Sequence, residues 1–183
     1  MTVVLNGYPG VGKLTIGRIL AERLSGRLVD IHTLYNLVFA LTEPRTPAFR
    51  QTVRRVEAVA DDLIGALPRE VPVVFTTVLA GTSDWAAEEW DRFVLREEGR
   101  PPLVMVHLHC DLEENIRFIG SPERAANGEL WGAEVARRNH QDQEPLIGAD
   151  LPSTLRLDVT GMLPDEAAER IAEHCGRAER GVR

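Results

Sequence analysis

The stretch Thr2-Val3-Val4-Leu5-Asn6-Gly7-Tyr8-Pro9-Gly10-Val11-Gly12-Lys13-Leu14-Thr15 decides the fold. Thr2 to Leu5 reads as a buried strand, Gly7 to Gly12 as a glycine-rich turn, and Leu14, Ile16, Ile19, Leu20 and Leu24 as the apolar positions of a helix that follows. Strand, loop and helix in that order are the context in which the pattern G-x-x-x-x-G-K-[ST] marks a phosphate site. The glycines let successive backbone N–H groups turn inward on an anion, and the start of the helix adds its partial positive charge. Of the 21 basic residues, 20 are arginine, and the one lysine, Lys13, stands where the pattern needs a compact charge for the outer phosphates. Arginine is no substitute there, because its guanidinium is a wide planar fork. Gly7, Pro9, Gly10, Val11, Gly12, Lys13, Leu14 and Thr15 are therefore the expected nucleotide-binding residues.

One position departs from the pattern. The residue after the lysine, ordinarily a Ser or Thr whose hydroxyl binds Mg²⁺, is Leu14, and Thr15 follows it. Water and other groups are then expected to hold the metal, with Thr15 and Asp30 as the candidate protein ligands.

Outward from this loop, short apolar runs alternate with longer segments of helical period, the pattern of a parallel sheet covered by helices on both faces. Strands are expected near 2–6, 27–30, 71–79, 102–109 and 154–159, and helices near 12–24, 31–41, 47–66, 84–98, 111–119, 131–142 and 164–178. Asp111 with Glu114 reads as a capping box, and Ser121-Pro122 as an N-cap followed by proline at the first helical position. Gly120 to Leu130 is polar, contains glycine and lacks apolar period, which suits a short mobile segment. The last helix places Ala167, Ala168, Ile171, Ala172 and Cys175 on one face, which should pack on the sheet.

Length and a 44 % hydrophobic content are enough for one domain with a proper core, spanning residues 1–183. The formal net charge of −7 argues against sequence-independent nucleic-acid binding and against anionic membranes, both of which need a basic face. No apolar run is long enough to span a bilayer, and a first strand starting at about residue 2 leaves no room for a signal peptide. Cys110 and Cys175, one in a strand pattern and one on a helix face, are expected to be two buried thiols. A cytoplasmic enzyme is the expectation, as a monomer or homodimer.

The second strand ends in Asp30-Ile31-His32, and in a doubly wound sheet ligands sit at that edge. Asp30 suits a group that accepts the proton of an attacking hydroxyl or holds a metal-bound water, and equally an N-cap of the next helix. His32 is placed to touch an acceptor or to remain an ordinary helix residue. A motor ATPase would carry Asp-Glu at the end of a second apolar strand, whereas Val73-Val74-Phe75-Thr76-Thr77-Val78-Leu79 ends without an acid. Strand alternation allows at most one of Thr76 and Thr77 to face a phosphate or metal. His107 and His109 share a strand face but lack a third ligand at metal-site spacing.

Taken together, the phosphate loop, Asp30-Ile31-His32, Pro47-Ala48-Phe49-Arg50, Ser121-Pro122-Glu123-Arg124 and the terminal Leu157-Asp158-Val159-Thr160 to Pro164-Asp165-Glu166 segment resemble the small P-loop kinases of the shikimate kinase, gluconate kinase and chloramphenicol phosphotransferase group. The likeness is closer still to bacterial proteins of that group described as AAA-family ATPases. It implies a five-stranded parallel sheet in the order 2-3-1-4-5, ATP as phosphoryl donor with Mg²⁺, acceptor-binding helices at about 31–66 and a lid at about 120–130. It also implies that Arg117 stacks on adenine, with Pro164 and the turn before it on the opposite side, and that Arg124 reaches the transferred phosphoryl group. Arg137-Arg138 resemble substrate or lid arginines, with Arg138 the candidate, and Arg50 is a possible anion-binding partner of Phe49. Shikimate kinases carry Asp-x-Asp where this chain has Asp30-Ile31-His32, and a run of glycines where it has Thr76 to Gly81, so shikimate is not the expected acceptor. The function implied is transfer of the γ-phosphoryl group of ATP to a hydroxyl of a small molecule. A nucleotide-binding sensor or weak ATPase without kinase activity is the alternative that Leu14 keeps open.

Overall fold

β1 (Thr2–Asn6) is buried along its whole length and lies at the centre of the sheet, with β3 (Val73–Thr77) on one side and β4 (Leu103–His109) on the other. β2 (Arg27–Asp30) pairs with β3 and β5 (Leu155–Asp158) with β4, all parallel, so the order is 2-3-1-4-5, as the resemblance implied. The computed structural model describes residues 1–44, 46–81, 83–120, 132–142 and 144–182. The expected lid, the Ser121-Pro122 cap and Arg124 lie outside the described residues.

Because each central strand is covered on both faces, Val and Leu fill both sets of alternate positions. Val3, Leu5, Val74, Val106 and Leu108 pack against Ile16 and Leu20 of α1 (Lys13–Arg23) and Ile171 of the last helix, α7 (Pro164–Val182). Val4, Phe75 and Met105 face the other way, onto Phe93 of α4 (Asp84–Gly99). A third cluster joins α2 (Ile31–Leu41) to α3 (Pro47–Gly65): Phe49 stacks on Phe39 at 5.5 Å and meets Tyr35 edge-on at 6.5 Å. The chain continues through α5 (Leu112–Ile119) and α6 (Ala133–Asp142). Cys110 and Cys175 are both buried and unpaired, and burial raises each thiol to about 12. No helix among the described residues is long and apolar enough to cross a membrane.

Two expectations change. The strand expected over 71–79 contracts to Val73–Thr77, because Leu79 has left the ladder: its N–H donates to Asn6 Oδ1 at 2.8 Å. The capping box at Asp111 is half made. Asp111 accepts the Glu114 N–H at 2.7 Å, but Glu114 reaches away to Gly161 N, and the Asp111 N–H is taken by Thr160 Oγ1.

Arg100 was not legible as a structural residue. Its side chain turns into the fold and donates to the carbonyls of Ile64 and Leu67, each at 2.6 Å, and of Pro68 and Val71 at 2.8 and 3.0 Å. These are the orphan carbonyls at and beyond the C-terminus of α3, where a cation also suits the helix dipole. Arg100→Met keeps the length of the side chain and strands these acceptors. It should lower unfolding free energy by about 3 kcal/mol, read as a shift of the urea midpoint at unchanged slope.

Candidate functional site

The loop from Gly7 to Gly12 turns the chain from a buried strand into α1 through two left-handed glycines, Gly10 at φ 89° and Gly12 at φ 81°. Gly12 is the N-cap of α1 and has no side chain to bond the first turn, which also carries no acid. The first N–H groups of α1 thus lack the usual cap and face the loop opening, the arrangement that binds an anion. Lys13 Nζ donates to the carbonyls of Gly7 at 2.6 Å and Tyr8 at 3.0 Å, which folds the ammonium back across the loop. From behind, Asn115 on α5 donates from Nδ2 to Pro9 O at 2.8 Å. Tyr8 donates to Glu144 O, and burial, helped by the charges of Glu144 and Asp142, raises its phenol. Val11 is buried in the core below.

Asp30 ends β2 and N-caps α2, accepting the His32 N–H at 3.1 Å. It also accepts a hydrogen bond from Thr76 Oγ1, and His32 Nδ1 lies 3.5 Å from its Oδ2. Burial alone would raise this carboxyl, but the bonds from His32 and Thr76 and the His32 charge outweigh it and leave the group below its ordinary 3.8. Asp30 is therefore a carboxylate at neutral pH, a cap and a wall of a cleft at once. That cleft, about 220 Å³, is lined by Leu14, Arg18, Leu28, Asp30, His32 and Asn36 among others. Leu14, in the position of the missing hydroxyl, thus faces the same space as Asp30, while Thr15 is exposed on the first turn of α1. Of the two metal candidates, Asp30 puts a hard carboxylate oxygen of the kind that suits Mg²⁺ on the cleft wall, whereas Thr15 does not line that cleft. Among the described residues no cluster of three or more His, Cys, Asp or Glu is grouped for a metal.

Other candidates are placed apart. Thr77 points to the opposite face from Thr76 and donates to Glu89 Oε1 at 3.0 Å, as strand alternation requires. Phe49 is a core residue, and Arg50 is exposed with its guanidinium 5.7 Å from the Trp85 ring centroid. Arg117 is on the surface of α5, bonded to Glu114 Oε1 at 2.9 Å and lying over Phe118. The other oxygen of Glu114 accepts the Gly161 N–H at 2.6 Å, so one carboxylate ties Arg117 to the turn before the half-buried Pro164. Arg138 is exposed on α6. His107 bonds Ile147 O at 2.9 Å and His109 faces Asp158, each with its own partner.

Sequence reading missed a buried polar cluster under α2, α3 and α4, built on Tyr35, Glu57, Glu89 and Arg92. A signal was present: Glu57 continues the Phe49, Val53 stripe at four-residue spacing, where an apolar residue is expected.

Residues 3–118 match the profile of a family described as an AAA domain. The chain belongs to that AAA domain family. A cytidylate kinase of Symbiobacterium thermophilum is 22 % identical to this AAA domain protein, over 97 % of the chain and 96 % of its own length. A gluconokinase from Sinorhizobium meliloti has a similar structure, with TM-score 0.62 and 18 % identity, covering 98 % of this chain and 94 % of the other. A shikimate kinase from Bacteroides thetaiotaomicron gives TM-score 0.55 at 15 % identity, covering 96 % and 98 %. The AAA domain family and these folds together support the small P-loop kinase resemblance.

The loop geometry makes a specific demand on Gly10. A Cβ there would meet Asn115 Nδ2 at 2.6 Å as well as holding a left-handed φ. Gly10→Ala should cost about 1–3 kcal/mol of stability and weaken nucleoside triphosphate binding by calorimetry, whereas Lys13→Ala should abolish that binding and leave stability near the original. Wild-type affinity in Gly10→Ala would show that the loop does not depend on its seat against α5.

Proposed function

We propose that this protein is a phosphotransferase that moves the γ-phosphoryl group of ATP to a hydroxyl of a small molecule. The observation that carries the reading is the shared wall: Leu14, next to Lys13 in the phosphate loop, and Asp30, at the end of β2, line one cleft. Lys13 and the loop N–H groups would hold the β- and γ-phosphates, and Asp30 would orient the acceptor hydroxyl and take up its proton as the oxygen attacks γ-phosphorus. The bond from γ-phosphorus to the bridging oxygen breaks, and ADP leaves. Bound by Thr15, Asp30, phosphate oxygens and water, Mg²⁺ would supply charge neutralisation on the phosphates. Arg117 and the turn at Pro164 would hold the adenine, and Arg124 would meet the transferring group. His32, on the cleft wall, is the first candidate for contact with the acceptor, and Arg50 and Arg138, which do not line that cleft, are the further substrate candidates. The kinase names of the cytidylate kinase and gluconokinase relatives support the reaction type, as does a fold whose ligand edge carries both phosphate loop and carboxylate.

A second reading has its own observation. Leu14 places an apolar side chain where a hydroxyl ordinarily meets the metal, which suits a nucleotide-binding sensor or weak ATPase. Incubation with ATP, Mg²⁺ and a panel of sugars, polyols, nucleosides and hydroxylated antibiotics separates the two. Acceptor-dependent ADP release is expected, and Asp30→Asn should lower it by about 10²–10⁴-fold with nucleotide binding retained. Since the Asp30 carboxyl lies below its ordinary value, its protonation should not limit turnover until the pH falls beneath 3.8. Slow ADP release that ignores every acceptor would favour the sensor, and full turnover in Asp30→Asn would remove the base assignment.

A further inference from the structure

Two carboxylates lie where the fold would ordinarily place apolar side chains. Glu57 on α3 and Glu89 on α4 are each only 5 % exposed, and taking such groups out of water costs several kcal/mol apiece unless each is matched. They are incompletely matched. Glu57 Oε1 accepts from Tyr35 at 3.1 Å, but its buried Oε2 accepts no hydrogen bond among the described residues. Arg92 Nε, 2.8 Å away, is an ion-pair partner out of line for donating one. Glu89 Oε1 accepts from Thr77 at 3.0 Å.

Both carboxylates line a small cavity of about 20 Å³ between the end of β3 and α2, α3 and α4, walled also by Ile31, Leu34 and Phe75. That is room for one small polar group. Arg96, the guanidinium on the cavity wall, is already engaged, while among the described residues Arg92 keeps Nε and Nη2 without a hydrogen-bond acceptor beside Glu57. Arg96 holds Asp61 through two bonds of 2.6 and 3.2 Å, Arg54 holds Glu88 at 2.5 Å, and Arg92 lies over Trp85 at 5.4 Å and does not line the cavity. Arg92 and Arg96 therefore face three carboxylates, Glu57, Glu89 and Asp61, so one negative charge is in excess.

We infer that this cavity receives a protonated amine, and that the phosphoryl acceptor is a hydroxylated amine whose ammonium sits between Glu89 and Glu57. An ammonium supplies three donors and the missing positive charge in a compact volume; a neutral hydroxyl supplies one donor, and an anion finds no uncommitted cation on the cavity wall. The choice of acceptor rests on the kinase reading above; the cation site does not. The groups facing Glu89 are Glu57 from α3, Arg92 and Arg96 from its own helix, Tyr35 from α2 and Thr77 from β3. Burial first, and the Glu57 charge second, push Glu89 up to about 7. Below that pH a proton occupies the place of the amine; above it the site is anionic. Amine binding should strengthen as pH rises through 7 and fade only when the amine loses its own proton, near 10.

Matched pairs of probes test this on the full chain: serinol against glycerol, and glucamine against sorbitol, by calorimetry without nucleotide. Each amine should bind about tenfold or more tightly than its neutral partner at pH 8, with the preference reduced at pH 6. Glu89→Gln should erase the preference while ATP affinity persists. The same variant removes a buried charge, so its melting temperature should exceed that of the wild type at pH 8 and not at pH 5, which certifies that it folds. Equal binding within each pair, no binding by either amine, or a preference that survives Glu89→Gln would each overturn the cation site. ADP release is read separately on the same compounds. Amines that bind without stimulating it leave the cation site standing and count against the kinase reading; stimulation by the neutral alcohols alone overturns the amine assignment and leaves the kinase reading intact.

Discussion

Everything at the ligand edge depends on one uncapped helix start. α1 begins at Gly12 with neither a capping side chain nor an acid in its first turn, so its leading N–H groups would be orphans if nothing anionic came to them. The fold supports this costly arrangement from three sides. Asn6 at the end of β1 bonds both the N–H and the C=O of Leu79, and its amide also reaches Ile147 O, fixing the strand end from which the loop departs. Asn115 holds Pro9 from α5, and the segment around Glu144 holds Tyr8. The Lys13 ammonium, bonded to Gly7 and Tyr8 carbonyls, draws the loop closed over its own start.

The same registry that sets the loop sets its carboxylate. Asp30 pairs with Thr76 across β2 and β3, and Asn6 with Thr77 across β1 and β3, so the three strand ends finish within a residue of each other. Adjacent threonines then serve opposite faces. Thr76 bonds Asp30 beside the phosphate loop, and Thr77 bonds Glu89 beneath the helical pair α2 and α3. Two carboxylates with opposite proton affinities follow: hydrogen bonds from His32 and Thr76 keep Asp30 ionised, while burial and a like charge keep Glu89 near the point of protonation.

The sheet and the loop were legible because they rest on local patterns: apolar runs bounded by glycine and proline, a lysine at a fixed offset, an acid at a strand end; the strand order came with the family resemblance. Asp111 was legible as a helix cap for the same reason. What escaped depends on which side chain meets which across long separations. Arg100 gathers carbonyls some thirty residues upstream, and nothing in Arg96 to Pro102 announces it. Glu57 carried a weak local signal, an acid on an apolar stripe, but its partners Tyr35 and Arg92 come from helices on either side of it in the chain. Arg50 was read beside Phe49 from the resemblance; in the helix Phe49 turns to the core and Arg50 to Trp85, a separation that adjacency in sequence does not reveal.

Leu14 stands where the phosphate loop and the Asp30 carboxylate meet in one cleft. The phosphate-loop pattern has a hydroxyl at that position; here a leucine lines the cleft, with Leu28, beside the polar groups of Arg18, Asp30, His32 and Asn36. The Leu14 side chain offers no oxygen to this cleft, so its polar contacts come from Asp30, His32 and Asn36 among others. On the kinase reading proposed above, the metal's demand for protein oxygens would pass to Asp30 and Thr15, and the carboxylate bonded by Thr76 would serve metal and acceptor together. Thr76 and the start of α2 hold the Asp30 carboxylate in place, so that one group both caps a helix and walls the cleft.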